Sequence, residues 1–220
     1  MTDDSLWDEV LVHLKKSMGA MHIIYGSLSP GDSIEVIAKN NIPNGFEKVI
    51  VIGFSMGGYV ARELAYLVPE RVEKLILIAT SARADTEEQR QQRLTAAKNM
   101  SATNFRGLSQ GAIKQSIASS RENDRDLVER IRLMGAGLGK EVFVQQSGIH
   151  REGDLERLKD ILCPTLVIAG DGDRLRCLDE VRELHQSIRG SDFEIIEQSG
   201  HMIPLEQAQA LASVVSGWLF

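Results

Sequence analysis

The stretch Val49–Gly58, VIVIGFSMGG, constrains this chain more than any other, because it permits few backbone paths. Val49 to Ile52 is an uninterrupted β-branched run, the pattern of a strand covered on both faces in a parallel sheet. Gly53-Phe54-Ser55-Met56-Gly57 then fits G-x-S-x-G, and from Tyr59 onward the apolar residues take the spacing of an amphipathic helix. Turning from strand to helix within so few residues strains the backbone at Ser55. Side chains two positions to either side would collide, which predicts glycine at both Gly53 and Gly57. The strain lifts the hydroxyl out of the turn and sets it at a helix N-terminus, where unpaired N–H groups and the positive dipole end favour a developing oxyanion. Gly58 adds a small residue for close helix packing. Ser55 is therefore the candidate nucleophile.

Such a strand must sit in a sheet, and 220 residues, 43% hydrophobic and 25% charged, suffice for one domain of ordinary size. The net charge of −6, with acids and bases interspersed, argues against a nucleic-acid partner and leaves a small molecule as the expected ligand. No apolar run approaches the ~20 residues of a membrane span, so no membrane partner is expected. The start, MTDDSLWDEV, lacks the basic and apolar regions of a secretion signal, and Cys163 and Cys177 read as free thiols. These features together predict a cytoplasmic protein. No Cys/His/Asp cluster has metal spacing, and GFSMGG has neither dinucleotide-fingerprint spacing nor a phosphate-loop lysine, so no cofactor and no metal are expected.

The remaining elements alternate. Ser5 is expected to cap a first helix ending at Gly19, Met21–Tyr25 to form a short strand, and Asp32 or Ser33 to start a helix that the Asn40–Gly45 cluster ends. Leu75–Ala79, Pro164–Gly170 and Phe193–Ile196 read as further strands. Helices are expected around Leu178–Ile188 and Leu205–Leu219. Between Ser81 and Leu162 strand-like runs vanish, and polar helices are predicted over Thr86–Met100, Phe105–Ser119, Asp124–Leu138 and Lys140–His150. Glu87, Glu88, Arg90 and Arg93 read as a solvated face. The expected organisation is a core of residues 1–81 and 161–220 with a helical cap of residues 82–160. The fold class is α/β, a mostly parallel sheet with flanking helices. Ligands of such sheets sit at the carboxyl ends of the strands, where Ser55, Asp171, Asp173 and His201 fall.

A serine hydroxyl needs a base to take its proton, and the base works better when a carboxylate fixes its tautomer. Ser, then Asp, then His is the chain order of the α/β-hydrolases. Through GFSMGGYVARELAYLVPERVEKLILIATSARAD, CPTLVIAGDGD and SGHMIPLE, nearly the whole chain resembles that family, in its small serine esterase type with a helical cap. The resemblance implies Ser55 as nucleophile, Asp173 as acid within G-x-x-D, with Asp171 as decoy, and His201 as base within Ser199-Gly200-His201. It also implies the Met56 N–H as one oxyanion donor. His13, His22, His150 and His185 lack the strand-end context and read as surface or core residues.

The chain departs from the family in one respect. The family's strand that precedes the first helix and supplies a second oxyanion donor has no counterpart, and it would lie between Met21–Tyr25 and Val49–Ile52. In order of preference, the expected remedies are direct pairing of those two strands in a five-stranded sheet, an upstream segment of a longer natural chain, or a partner chain completing the sheet, as in a homodimer. The function expected is hydrolysis of a small, largely apolar carboxylic ester or related acyl compound through an acyl-enzyme. The alternative is a ligand-binding or signalling protein with weak or no turnover. Phe54, Met202 and Ile203 beside the triad, with Leu108, Ile113, Ile117, Leu133, Met134, Phe143 and Val144 of the cap, are expected to form an apolar pocket.

Overall fold

The computed structural model describes residues 2–98 and 105–220. The last two residues of the helix predicted over Thr86–Met100 lie outside the described residues. The chain opens with Asp3, whose carboxylate accepts the Ser5 N–H at 3.0 Å and starts a 3-10 turn, Asp4–Trp7, that runs into α1 (Asp8–Met18). Asp3 rather than Ser5 is thus the cap, since the short turn places Ser5 inside it. Gly19, at φ 79°, closes α1 in a conformation that disfavours side chains. Ser33 Oγ accepts the Val36 N–H at 3.3 Å and caps α2 (Ile34–Asn40). Next come β1 (Val49–Phe54), α3 (Met56–Leu67) and β2 (Val72–Ile78). The helical block contains α4 (Glu87–Lys98), α5 (Gln110–Ser116) and α6 (Arg125–Gly148). The chain then runs through β3 (Thr165–Gly170), α7 (Leu178–Ser187), β4 (Asp192–Ile196), α8 (Ile203–Glu206) and α9 (Ala208–Leu219).

The four strands pair in the order β1-β2-β3-β4, all parallel, with Ile52 opposite Ile76, Ile76 opposite Leu166 and Ile168 opposite Glu194. Alternation along the central strands sorts their side chains to two faces. Leu75, Leu77, Val167 and Ala169 pack on Leu64 of α3 and on Val181 and Leu184 of α7. Ile76, Ile78, Leu166 and Ile168 pack on Val10 and Leu14 of α1 and on Leu211 and Val215 of α9. Both faces are covered, which is why β2 and β3 read as near-continuous apolar runs.

Met21–Tyr25 is not a strand, and among the described residues the sheet has four strands rather than five, so direct pairing with β1 is rejected. Among the described residues β1 has a ladder partner on one side only. Ile50 and Ile52 are 41% and 37% exposed, and Ile24 and Tyr25 are 51% and 45% exposed. An apolar pentapeptide becomes a strand only against a partner ladder, and β-propensity does not supply one.

In the helical block, the two helices predicted over Asp124–Leu138 and Lys140–His150 form one run, α6, broken at Gly139 with φ 83° and ψ 168°. The helix predicted over Phe105–Ser119 is shorter, because Ser109 Oγ caps it by accepting the Ala112 N–H at 3.2 Å. Ile113, Ile117, Leu127, Ile131 and Met134 join Leu6, Met202 and Leu205 in one cluster that packs the block onto the strand-end loops.

Candidate active site

The turn from β1 to α3 is as tight as its glycines suggest. Ser55 has φ 52° and ψ −116°; its N–H donates to Ile78 O at 2.9 Å, and Thr80 Oγ1 donates to Ser55 O at 2.8 Å. The end of β2 and the residues just after it therefore hold the strained residue at both its donor and its acceptor. A Cβ on Gly53 would lie 2.5 Å from Gly57 O and 2.7 Å from Ala61 Cβ, and one on Gly58 would lie 2.5 Å from Thr80 Oγ1. At Gly57 the expected collision is not found: a Cβ there meets nothing within 4 Å, because it would point into open space.

The loop after β3 carries Asp173. Its Oδ1 accepts the N–H groups of Leu175 at 2.8 Å and Arg176 at 2.9 Å, leaving Oδ2 to accept from His201 Nδ1 at 2.8 Å. Two backbone donors and the imidazole fix the carboxylate's orientation. Asp171 is exposed and does different work, accepting the Ser199 N–H at 3.1 Å and so bracing the loop after β4. In that loop His201, 6% exposed, has its Nε2 2.8 Å from Ser55 Oγ, and the Phe54 ring tilts against it at 5.1 Å. The structure thus brings Ser55, His201 and Asp173, from three strand ends, into one hydrogen-bonded chain.

The remaining predicted residues are placed as follows. Met56 begins α3, so its N–H lacks an intrahelical acceptor. Phe54 is half-buried beside His201. Met202 at 4% and Ile203 at 0% exposure are packed into the core, and so are Ile113, Ile117 and Met134. Leu133 and Val144, 54% and 41% exposed, face solvent. Helical spacing alone identifies an apolar face but not whether that face meets a cavity or a neighbouring side chain. His185 is stacked on Phe193 at 5.2 Å, His22 lies 4.8 Å from Phe46, and His150 is exposed. Among the described residues no group of three His, Cys, Asp or Glu side chains could hold a metal.

One buried carboxylate was not singled out in the sequence. Glu206, 7% exposed, accepts the Gly200 N–H at 3.0 Å and the Ala118 N–H at 2.7 Å, and burial pushes its carboxyl above the usual range against the lowering effect of those donors. A signal was present, because Glu206 is the only charged side chain between His201 and Phe220.

The family model for the alpha/beta hydrolase fold matches residues 32–208. A Bacillus subtilis (strain 168) protein provisionally named 2-succinyl-6-hydroxy-2,4-cyclohexadiene-1-carboxylate synthase is 28% identical over 181 residues, which is 78% of this chain and 66% of that protein. A pimeloyl acyl-carrier-protein methyl ester esterase of Neisseria meningitidis is 28% identical over 170 residues, covering 74% of this chain and 66% of the esterase. The chain therefore spans just under two thirds of these relatives' length. A thermophilic esterase from Thermogutta terrifontis, solved with malate bound, superposes with a TM-score of 0.83 at 25% identity, over 99% of this chain and 85% of that one. With its parallel sheet, its helices on both faces and a family match across most of its length, the chain belongs to the alpha/beta hydrolase fold family.

Proposed function

We propose that the protein is a serine hydrolase that cleaves a small, largely apolar carboxylic ester or related acyl compound. The observation that carries this reading is the chain of two 2.8 Å contacts, Ser55 Oγ to His201 Nε2 and His201 Nδ1 to Asp173 Oδ2, on a serine held at φ 52°. Ser55 attacks the acyl carbon while His201 takes its proton, and the Met56 N–H faces the developing oxyanion at the start of α3. His201 then returns the proton to the leaving alcohol, and water repeats the sequence to release the acid. Asp173 holds the imidazole in the tautomer that keeps Nε2 free to accept. Two of the relatives described above are named as esterases, which supports the ester as the class of substrate.

A second reading, ligand binding with slow or no turnover, is favoured by one observation. Among the described residues β1 carries a strand on one side only, and the second oxyanion donor is expected from the other. One missing donor costs about 10² to 10³ in kcat. Treatment with a fluorophosphonate, followed by kinetics on p-nitrophenyl acetate, separates the two readings. Fast labelling of Ser55 with turnover that Ser55→Ala abolishes supports the hydrolase. Labelling without turnover leaves the binding protein, and no labelling removes Ser55 as nucleophile.

A further inference from the structure

Three contacts converge on one short segment of the helical block, Ser116–Ala118. The Met202 N–H, next to the base, donates to Ser116 O at 3.0 Å. Arg174, next to the acid Asp173, donates from its guanidinium to Ile117 O at 3.0 Å. The Ala118 N–H donates to Glu206 Oε2 at 2.7 Å, and the other oxygen of the same carboxylate accepts from Gly200, the residue before His201, at 3.0 Å. The fit is close as well as polar: a Cβ on Gly200 would lie 2.4 Å from both Ala118 N and Ile117 C. Arg121, three residues further on, donates to Glu206 O at 3.3 Å and closes the arrangement.

A carboxylate is an unusual choice for this position. Burial disfavours its charge, and nothing in the hydrolytic cycle consumes it. Its geometric merit is that two acceptor oxygens on one rigid plane can hold two backbone N–H groups from different parts of the chain at once. A glutamine would present one acceptor and one donor, and its NH2 would face an N–H.

We propose that Glu206 is a positioning residue for His201, its carboxylate tying the base loop to Ser116–Ala118 so that Ser55, His201 and Asp173 stay aligned only while that segment is docked. The proposal rests on the hydrolase reading for its consequence in turnover, but not for its geometry. Anything that lifts Ser116–Ala118 from the strand ends also loosens the histidine, so docking of the helical block and competence for proton transfer form one event.

The test uses Glu206→Gln and Glu206→Ala in the full chain, with p-nitrophenyl acetate as the probe. The expected result is a fall in kcat of about 10-fold for the Gln variant and about 100-fold for the Ala variant, with KM within about 2-fold of wild type, as for misalignment of a group that acts on bound substrate. The low-field proton resonance of His201 Nδ1–H, hydrogen-bonded to Asp173, is expected to broaden in the same order, because a loosened imidazole exchanges that proton with water. A folded Glu206→Ala variant that keeps both its kcat and this resonance overturns the proposal. Should neither variant fold, amide exchange in the wild type decides. Equal, strong protection of the Gly200 and Ala118 N–H groups supports the tie, and free exchange of either one overturns it. If the wild type turns over no ester, the hydrolase reading fails, while the resonance and the amide exchange still test the positioning role.

Discussion

At the scale of single residues, the two aspartates after β3 separate by what they hold. Asp173 takes two backbone N–H groups on one oxygen and the imidazole on the other, whereas Asp171 braces Ser199 from an exposed position. Asp173→Asn should therefore lower kcat/KM by about 10³ to 10⁴, because the amide turns the imidazole to the wrong tautomer. Asp171→Asn keeps an acceptor oxygen for Ser199 and should cost less than about 10-fold. The reverse order in steady-state kinetics would exchange their roles. Glu206 makes a second point testable. Its carboxyl is raised in the folded state by burial, and Arg121, the charged group that faces it from the helical block, opposes that shift only in part. A carboxyl raised on folding binds more protons folded than unfolded, so its contribution is fully present below the unfolded value and is lost as pH rises through the folded one. The difference in urea midpoint between wild type and Glu206→Gln should therefore shift in the variant's favour as pH rises from about 4 upward, whatever its value at the start. A difference that is flat across that window would contradict a raised carboxyl. Ser55, Asp173 and His201 could be named from the sequence because each stands at a strand end in a short local pattern. Glu206 stands out in the sequence only as a lone charge after His201, and its contacts are not legible there, because both of its partners are backbone N–H groups, which no residue identity announces.

At the scale of elements, glycine marks where local pattern succeeded. Gly139 divides α6 at φ 83°, a conformation a side chain rarely adopts, and the sequence reading placed a helix boundary at that residue. Gly139→Ala should lower stability by about 1 to 2 kcal/mol. Two residues earlier Gly137 lies inside the helix with open space where a Cβ would be, so Gly137→Ala should raise stability by up to about 1 kcal/mol. Thermal denaturation of the pair checks both signs. Met21–Tyr25 marks where local pattern failed. β2 and β3 have a neighbour on each side, and their apolar runs became strands; MHIIY, as apolar as parts of β1, stays a loop with Ile24 and Tyr25 exposed. Helix formation closes its hydrogen bonds within the segment, whereas a strand borrows half of them from elsewhere.

At the scale of the whole molecule, the helical block and the sheet are joined by more than apolar packing. Arg62 of α3, fully buried, donates through Nε and Nη2 to the two oxygens of Asp154 at 2.9 and 2.8 Å, in the segment where the chain returns to β3, and Tyr66 adds its hydroxyl at 3.3 Å. Arg62→Ala leaves the carboxylate of Asp154 without its charged partner and should cost about 3 to 5 kcal/mol, whereas loss of the solvent-exposed Lys39–Glu35 pair should have little effect. Equilibrium unfolding in urea checks the contrast, and comparable losses from the two pairs would show that Arg62–Asp154 is not a structural tie. The sequence by itself determined the α/β class, the four strands of the sheet and the strand-end positions of Ser55, Asp171, Asp173 and His201, because alternation, turn chemistry and strand-end spacing are local and survive in one dimension; the choice of Asp173 over Asp171 came from the family resemblance. Only the tertiary structure decided which apolar faces became core rather than pocket, that β1 has a ladder partner on one side only among the described residues, and that Glu206 links the His201 loop to the helical block. Each of those depends on what a segment packs against, and that partner lies tens of residues away in the chain.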